Sequence, residues 1–396
     1  EPTEMKRRIA ITGVGVVSAI GVGQQQTCEA LRRGRSGVGR VTHLSTVHKE
    51  FPVGEVKLSN EEMCRLLDIP YTDRVSRTEL IGILALREAL QEAGLTERHG
   101  MALVSGTTVG GMDRTERFYP DNLNAEVLMR HDCGACSDAI AYYFGLFDFI
   151  STPSTACSSA MNAVIFGARL IESGLRDIVV VGGSESLSRF HLNGFKSLMI
   201  LDEAVCRPFD ARRAGLNLGE GAAYLVLESE ESRCRRGAEA LGVLSGTGNA
   251  CDAFHQTASS ENGEGAVLAM RQALREAGLE PGEIDYVNAH GTGTPNNDAS
   301  ESMALREVFG DAVPPVSSTK MYTGHTTSAS GSIEAVFSLL ALRHGFIPRN
   351  LGWEVPDEAC ICPYVGDESG SLRHVLCNAF GFGGNDSSLI LSNDAE

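Results

Sequence analysis

The sequence predicts an α/β protein made of two similar halves. Short runs of branched apolar residues enter glycine turns, as in RIAITGVG (8–15) and IVVVGGS (178–184). Unbroken β-branched runs of this kind fit strands covered on both faces. Following helices, they suggest a parallel sheet. Glycine is frequent (44 residues) and aromatics make up only 6%, which suits many tight turns. Segments of the first part also return in order in the second. REALQEAGL (87–95) recurs as RQALREAGL (271–279), and AVIFGARLIESG (163–174) as AVFSLLALRHG (335–345). Two matches in the same order suggest a duplicated α/β unit.

Taken along the chain, Ile9–Thr12 reads as a buried strand. The following G-V-G lacks the third glycine of a dinucleotide fingerprint. Met5 with its basic neighbours looks like a natural start, and Glu1–Glu4 ahead of it like a remnant. A helix near Gln24–Arg33 ends at Gly34, Ser59–Asp68 is a short capped helix, and Asp73–Ala93 is a long one. Met101–Ser105 is a strand, Gly110–Cys136 reads as loop-rich, and a helix follows near Asp138–Phe144. Ile178–Val181 and Ala222–Leu227 are strands. The charged run Glu228–Arg236 reads as an exposed joint between halves at 5–236 and 237–396. Tyr286–Ala289 is a strand, and Val375–Ser392 is a strand, a glycine loop and another strand.

With 396 residues, 42% of them hydrophobic, the chain can bury a large core. The net charge of −17 argues against a role on nucleic acid. No run of 18 apolar residues and no signal peptide is present, so a cytoplasmic protein without membrane insertion is expected. Eleven irregularly spaced cysteines point to reduced thiols. Cys133 and Cys136 have redox or zinc spacing but no second pair, and read as unlinked thiols, as do Cys360 and Cys362; no metal is expected. His43, His48, His99 and His344 read as surface groups.

Chemistry concentrates in four places. In STPSTACSSAMNAVIFGARLIESG (151–174), a polar segment delivers Cys157 to the start of an apolar helix with small residues Ala160, Ala163 and Gly167. A helix N-terminus favours thiolate. In NAHGTGTPNND (288–298), His290 falls at the C-terminal end of a strand, where open α/β sheets place ligands. Thr292 and Thr294 offer hydroxyls to a polar chain, and Asp298 with Glu301 reads as a helix-capping pair. In SSTKMYTGHTTSASG (317–331), Lys320 ends a strand and His325 precedes a central helix. Glu334 interrupts that helix, and a buried carboxylate there needs a cation, for which Lys320 is the candidate. In NAFGFGGND (378–386), glycine-turn amides can bind an oxyanion.

TACSSA, NAHGTGTPNND, STK–TGH and NAFGFGG, in this order, resemble the elongating β-ketoacyl-acyl-carrier-protein synthases, the ketosynthases of the thiolase fold. The resemblance implies a five-layer αβαβα core of two similar halves, usually a homodimer, with a heterodimer as the alternative. It implies that Cys157 is the acylated nucleophile, that His290 and His325 are the decarboxylation pair, and that Lys320 and Glu334 orient them. Phe382 resembles the gating phenylalanine, its amide and that of Cys157 forming the oxyanion hole. Thr292 and Thr294 would contact a phosphopantetheine arm. Arg207, with Arg212 and Arg213 as further candidates, would dock the acyl carrier protein, which delivers malonyl and acyl thioesters; no permanently bound cofactor is implied. The leading expectation is fatty-acyl elongation by two carbons. The runner-up is a specialised polyketide or aryl polyene ketosynthase, with or without a chain-length-factor partner. The chain departs from the family's pattern at Asn385-Asp386, at Thr326–Gly331, and at Glu61 and Glu62, where basic docking residues are expected.

Overall fold

A computed structural model describes residues 7–97, 100–367 and 370–393. Met5 and His99 lie outside the described residues. In the first half β1 (Ile9–Ser18) and β2 (Gly21–Val22) precede α1 (Gln24–Arg33), α2 (Asn60–Leu67) and α3 (Arg77–Glu92). Then come β3 (Met101–Gly106), α4 (Met112–Phe118), α5 (Ala125–Met129), α6 (Cys133–Phe144), β4 (Phe147–Ser151) and α7 (Ser159–Glu172). β5 (Ile178–Glu185), α8 (Arg189–Ser197), β6 (Gly221–Ser229) and α9 (Glu230–Arg236) complete it. The second half has β7 (Gly242–Cys251), α10 (Glu264–Ala277), β8 (Tyr286–Asn288), α11 (Pro295–Phe309), β9 (Val316–Ser317) and α12 (Lys320–Thr323). It ends with α13 (Ser330–His344), β10 (His374–Gly381) and β11 (Asn385–Ser392).

The capping chemistry explains several boundaries. Ser59 with Glu62 and Ser76 with Glu79 form capping boxes at the starts of α2 and α3. Gly34 closes α1 in the left-handed conformation, and Gly174 (φ 72°) follows α7 in the same way.

The strands form one sheet in the order β4-β3-β5-β6-β1-β7-β11-β10-β8-β9, with β2 on β1. Read from either end, the order is the same architecture. β3 is parallel to β4 and β5, and β8 is parallel to β9 and β10, while every pairing between β5 and β10 is antiparallel. The sheet is therefore mixed, not parallel as the apolar runs suggested: burial on both faces produces such runs in either pairing. Within the sheet, the halves join among the described residues where Ala10 and Ile11 of β1 meet Val243 and Gly242 of β7.

α3 covers the outer face of β1 and β6, and α10 the outer face of β7 and β11. α7 and α13 pack together between the two half-sheets. These are the five layers. The two copies of the sequence repeat lie on α3 and α10, which makes those helices counterparts. In the central layer Gly331 has no room for a side chain: a Cβ would come 2.9 Å from the Met161 amide nitrogen of α7.

Three local expectations are corrected. Gly110–Cys136 contains two short helices, α4 and α5, and the first residues of α6. Glu228–Arg236 is not an exposed run, because Glu228 is fully buried on β6 and bonded to Arg236 (2.7 Å), Thr12 and Ser232. Lys320 begins α12 instead of ending a strand. No described helix is long and apolar enough to cross a membrane.

Candidate active site

Cys157 sits in a single 3-10 turn, Ala156–Ser158, immediately ahead of α7. Ala156 before it has φ 53°, a conformation unusual for a residue with a side chain. Ser158 and Asn162 anchor the turn to Asn385, the first residue of β11, at 2.7 Å each. The thiol is 4% exposed. Its sulfur lies 3.1 Å from His325 Nε2, and the Phe382 amide donates toward it.

The His290 loop is held from below. Glu301 of α11 accepts the amides of His290 (2.9 Å) and Gly291 (2.8 Å). Asp298 accepts those of Phe209 (2.8 Å) and Gly293 (3.2 Å). Thr294, not Asp298, is the residue before α11, so these two acids shape the loop and are not a capping pair. Gly293 (φ 85°) must be glycine, since a Cβ would lie 2.8 Å from the Gly215 carbonyl. His290 and His325 meet edge to face, 5.2 Å between ring centroids.

Lys320 Nζ bonds Glu334 Oε1 at 2.6 Å and faces His290 Nδ1 at 3.5 Å, all three groups being buried. Lysine can only donate, so Nδ1 accepts and the His290 proton sits on Nε2. His325 Nδ1 has no partner among the described residues.

Burial, then the nearby Lys320 charge, holds both imidazoles well below the usual histidine range, so both are neutral at pH 7. Burial pushes the Cys157 thiol up to about 12, against the pull of Lys320 and the Phe382 amide. The expectation that the helix start by itself yields thiolate is thus corrected: desolvation outweighs it. The resting pair is a thiol beside a neutral imidazole.

Cys157, His290, His325, Phe380 and Phe382 line one cleft of about 320 Å³, together with Thr292 and Thr294, whose hydroxyls are 2.8 Å apart. Arg207, half-buried, follows the fully buried Cys206 and lies beside Gly293. It has no carboxylate partner among the described residues. Arg212 is bound to Asp210 and Glu354, and Arg213, 6% exposed, to Asp357 at 2.5 Å. Both are thus ion-paired within the chain, although the Arg212 side chain is 47% exposed. Cys133 and Cys136 open α6, and burial raises both thiols. Cys377 lies in the core of β10.

Sequence reasoning missed Asn385 as the clamp on the nucleophile turn. It also missed Asn217, whose backbone carbonyl accepts the His325 amide (2.7 Å) while its side chain binds the amide of Cys206. It missed Glu185 and His191 near the site as well. No spacing pattern marks these residues, since their roles come from contacts between distant segments.

The family model for the Beta-ketoacyl synthase, N-terminal domain, matches residues 6–233, and that for the C-terminal domain matches 241–354. Nodulation protein E of Rhizobium meliloti is 34% identical over 97% of this chain and 99% of its own. 3-Oxoacyl-[acyl-carrier-protein] synthase 2 of Coxiella burnetii is 32% identical over 98% and 99%. Among solved structures, the ishigamide ketosynthase/chain length factor superposes with a TM-score of 0.91 at 34% identity, covering 98% of this chain and 99% of that one.

Proposed function

Because the chain belongs to the β-ketoacyl synthase family, and is a condensing acyltransferase of the β-ketoacyl-ACP synthase type, we propose that Cys157 carries the acyl group and that His290 and His325 drive loss of CO₂ from malonyl-carrier. The observation that carries this reading is the convergence of the Cys157 sulfur, two neutral imidazoles and the Phe382 amide on one cleft.

The reaction has two stages. In the first, the Cys157 thiol attacks an acyl thioester delivered on the phosphopantetheine arm of the carrier. His325 Nε2 is the base in reach; it takes the thiol proton and returns it to the departing pantetheine sulfur. The oxyanion binds the amides of Cys157 and Phe382. In the second stage, malonyl-carrier places its thioester carbonyl between the histidines. Both now donate from Nε2, CO₂ leaves, and the enolate carbon attacks acyl-Cys157; the acyl C–S bond breaks and the released Cys157 thiolate takes up a proton from solvent. The 3-oxoacyl product stays on the carrier, two carbons longer.

His325 therefore serves as acceptor first and donor second. Its unpartnered Nδ1 leaves both tautomers open, whereas Lys320 fixes His290 as the donor. Glu334 keeps the Lys320 ammonium in place. Thr292 and Thr294 are read as contacts for the arm, and Arg207 as the docking cation. Two halves, 5–236 and 237–396, remain our division of the chain.

We read the natural assembly as a homodimer. β4, at one end of the sheet, pairs among the described residues with β3 alone and leaves Ile150 36% exposed, an unfinished edge that a second copy can extend. The similarity to a ketosynthase/chain length factor favours a second reading, a polyketide or polyene ketosynthase with such a partner. Eleven unpaired thiols suit a reducing, cytoplasmic setting.

The test is incubation of the purified protein with malonyl-carrier and a panel of acyl-carriers, with products read by mass. Two-carbon extension of saturated chains supports elongation in fatty-acid synthesis. Repeated extension to unreduced poly-β-keto products only with an added partner subunit supports the second reading. No extension of any acyl group refutes both.

A further inference from the structure

A line of rings runs from the cleft into the core. Phe382 stacks on Phe195 of α8, with centroids 5.8 Å apart and planes 21° apart. Phe195 meets His191, one turn earlier on α8, edge to face at 6.0 Å and 89°. His191 Nε2 lies 3.6 Å from Glu185 at the end of β5. Glu185 is fully buried and already well served. It accepts from the Thr107 hydroxyl (2.6 Å), the Thr108 amide (3.0 Å) and hydroxyl, and the Thr327 hydroxyl (3.2 Å). Thr327 stands two residues after His325 at φ 47°. One carboxylate thus ties the end of β3 and the turn after His325 together, and approaches α8 through His191.

A buried imidazole at this place is costly, because an apolar side chain would fill the space without desolvating ring nitrogens. Glu185 does not need it, with four donors in hand. What the imidazole adds is a buried ring, 3.6 Å from Glu185 on one side, that presents an edge-to-face contact to Phe195 on the other. Aromatic pairs in this geometry prefer a narrow range of placements. That preference biases Phe195 toward its stacked placement on Phe382.

We propose that His191 is a positioning residue for the gate: packed edge to face on Phe195, it holds that ring, and through it the Phe382 ring, in the place seen beside Cys157. It touches neither substrate nor reacting atoms, yet acyl-chain selection depends on it. The proposal rests on the reading of Phe382 as a gate.

The test compares Cys157 acylation from short and long acyl-pantetheine thioesters, read by intact mass. The wild type, His191→Ala, His191→Phe, Phe195→Leu and Phe382→Ala are measured side by side. His191→Ala and Phe195→Leu should each change the long-to-short preference by about 3- to 10-fold, the scale of one aromatic pair, in the direction that Phe382→Ala changes it. The double variant His191→Ala/Phe195→Leu should go no further than either single one. His191→Phe, which keeps a ring, should return toward wild-type preference. Malonyl decarboxylation should stay within about twofold in both His191 variants, since His290, His325 and Lys320 are untouched. Wild-type preference in His191→Ala overturns the proposal, as does decarboxylation falling in step with acylation. Should His191→Ala fail to fold, unchanged preference in Phe195→Leu overturns it instead. If Phe382→Ala leaves preference unchanged, the gate reading itself fails; if only the α8 variants do, the gate stands and His191 is packing.

Discussion

The turn before α7 and the turn before α13 are the same piece of backbone used for different ends. Each is a single 3-10 turn feeding a central helix, and each is entered through a residue at positive φ, Ala156 at 53° and Thr327 at 47°. Counted from those residues, Cys157 corresponds to Ser328. In the first half the turn carries a thiol with an imidazole at 3.1 Å. In the second it carries a hydroxyl without a partner, and the chemistry has moved three residues upstream to His325. The second turn supports the first: Ser330 donates to the Cys157 carbonyl, and Gly331 lets α13 close on Met161. A symmetric frame thus gives an asymmetric site, with one half holding the nucleophile and the other holding what acts on it.

The comparison breaks most sharply at the nucleophile. Cys157→Ala should lower condensation on the order of 10⁴-fold or more, as removal of a covalent nucleophile does. Adding Ser328→Cys in that background should restore nothing, because among the described residues no imidazole is within hydrogen-bond reach of the Ser328 hydroxyl. An acyl adduct on a cysteine at 328, found by peptide mapping, would show the two turns to be chemically interchangeable.

The histidines sharpen it next. His290→Ala should reduce CO₂ release by about 10²-fold and leave Cys157 acylation nearly intact. His325→Ala should reduce both, since its Nε2 is the base beside a thiol whose pKa is about 12. Equal effects of the two variants on acylation, measured by intact mass, would refute this division of labour.

At the starts of β6 and β11 the halves differ again, with Ala222 in one and Asp386 in the other. Burial first, then the neighbouring Asp252, raises Asp386 to about 8. The folded protein therefore holds this proton more tightly than the unfolded chain. The resulting stability is complete below about pH 4 and is lost as pH rises through 8. Asp386→Asn should flatten that decline, by on the order of a few kcal/mol at alkaline pH, in denaturant unfolding followed across pH. An unchanged pH profile would mean that Asp386 ionises freely.

Gly331→Ala should cost about 1–3 kcal/mol in the same assay, through overpacking of α13 on α7. Its first-half counterpart Ala160 already carries a Cβ. An unaltered unfolding midpoint would show that the central helices can part.

The smallest effect belongs to the surface. Arg207→Glu should raise KM for carrier-bound substrate several-fold and spare small pantetheine thioesters. The difference should shrink at high salt, where exposed charges are screened within about 10 Å. No change in KM at low salt would exclude Arg207 from docking.

Much of this architecture was legible in the chain because it rests on local pattern. The apolar runs of β1, β5, β6, β10 and β11, the cap of α2, and the repeated REAGL-type segments all signal their elements directly, whereas α3, expected from Asp73, begins only at Arg77 behind its Ser76 cap. Cys157, His290, His325 and Phe382 were legible as motifs, and the structure brings them to one cleft. Lys320 and Glu334 were paired by a physical argument, that a buried acid needs a cation, and they meet at 2.6 Å. What was not legible depends on distant partners. Glu228 looked exposed until Arg236 folded back on it. α4 and α5 carry too few apolar positions to show a period. The raised pKa of Cys157 comes from burial, which has no sequence signature. Glu185 and His191 acquire meaning only when β3, β5, α8 and the turn after His325 are brought together.

The position of β1 in the sheet has a consequence for how the protein is made. β1 lies at the centre of the sheet, and its partners β6 and β7 are more than 200 residues further along the chain. Such pairings are slow to form, because long loops must close before the contacts repay them. The nucleophile turn waits longer still, since its clamp, Asn385, opens the last strand. On the ribosome a chain that carries Cys157 but has not yet reached Phe382 and Asn385 lacks both the amide that faces the sulfur and the clamp that fixes the turn. Completion of the acyl-transfer site therefore waits on segments more than 200 residues beyond its nucleophile.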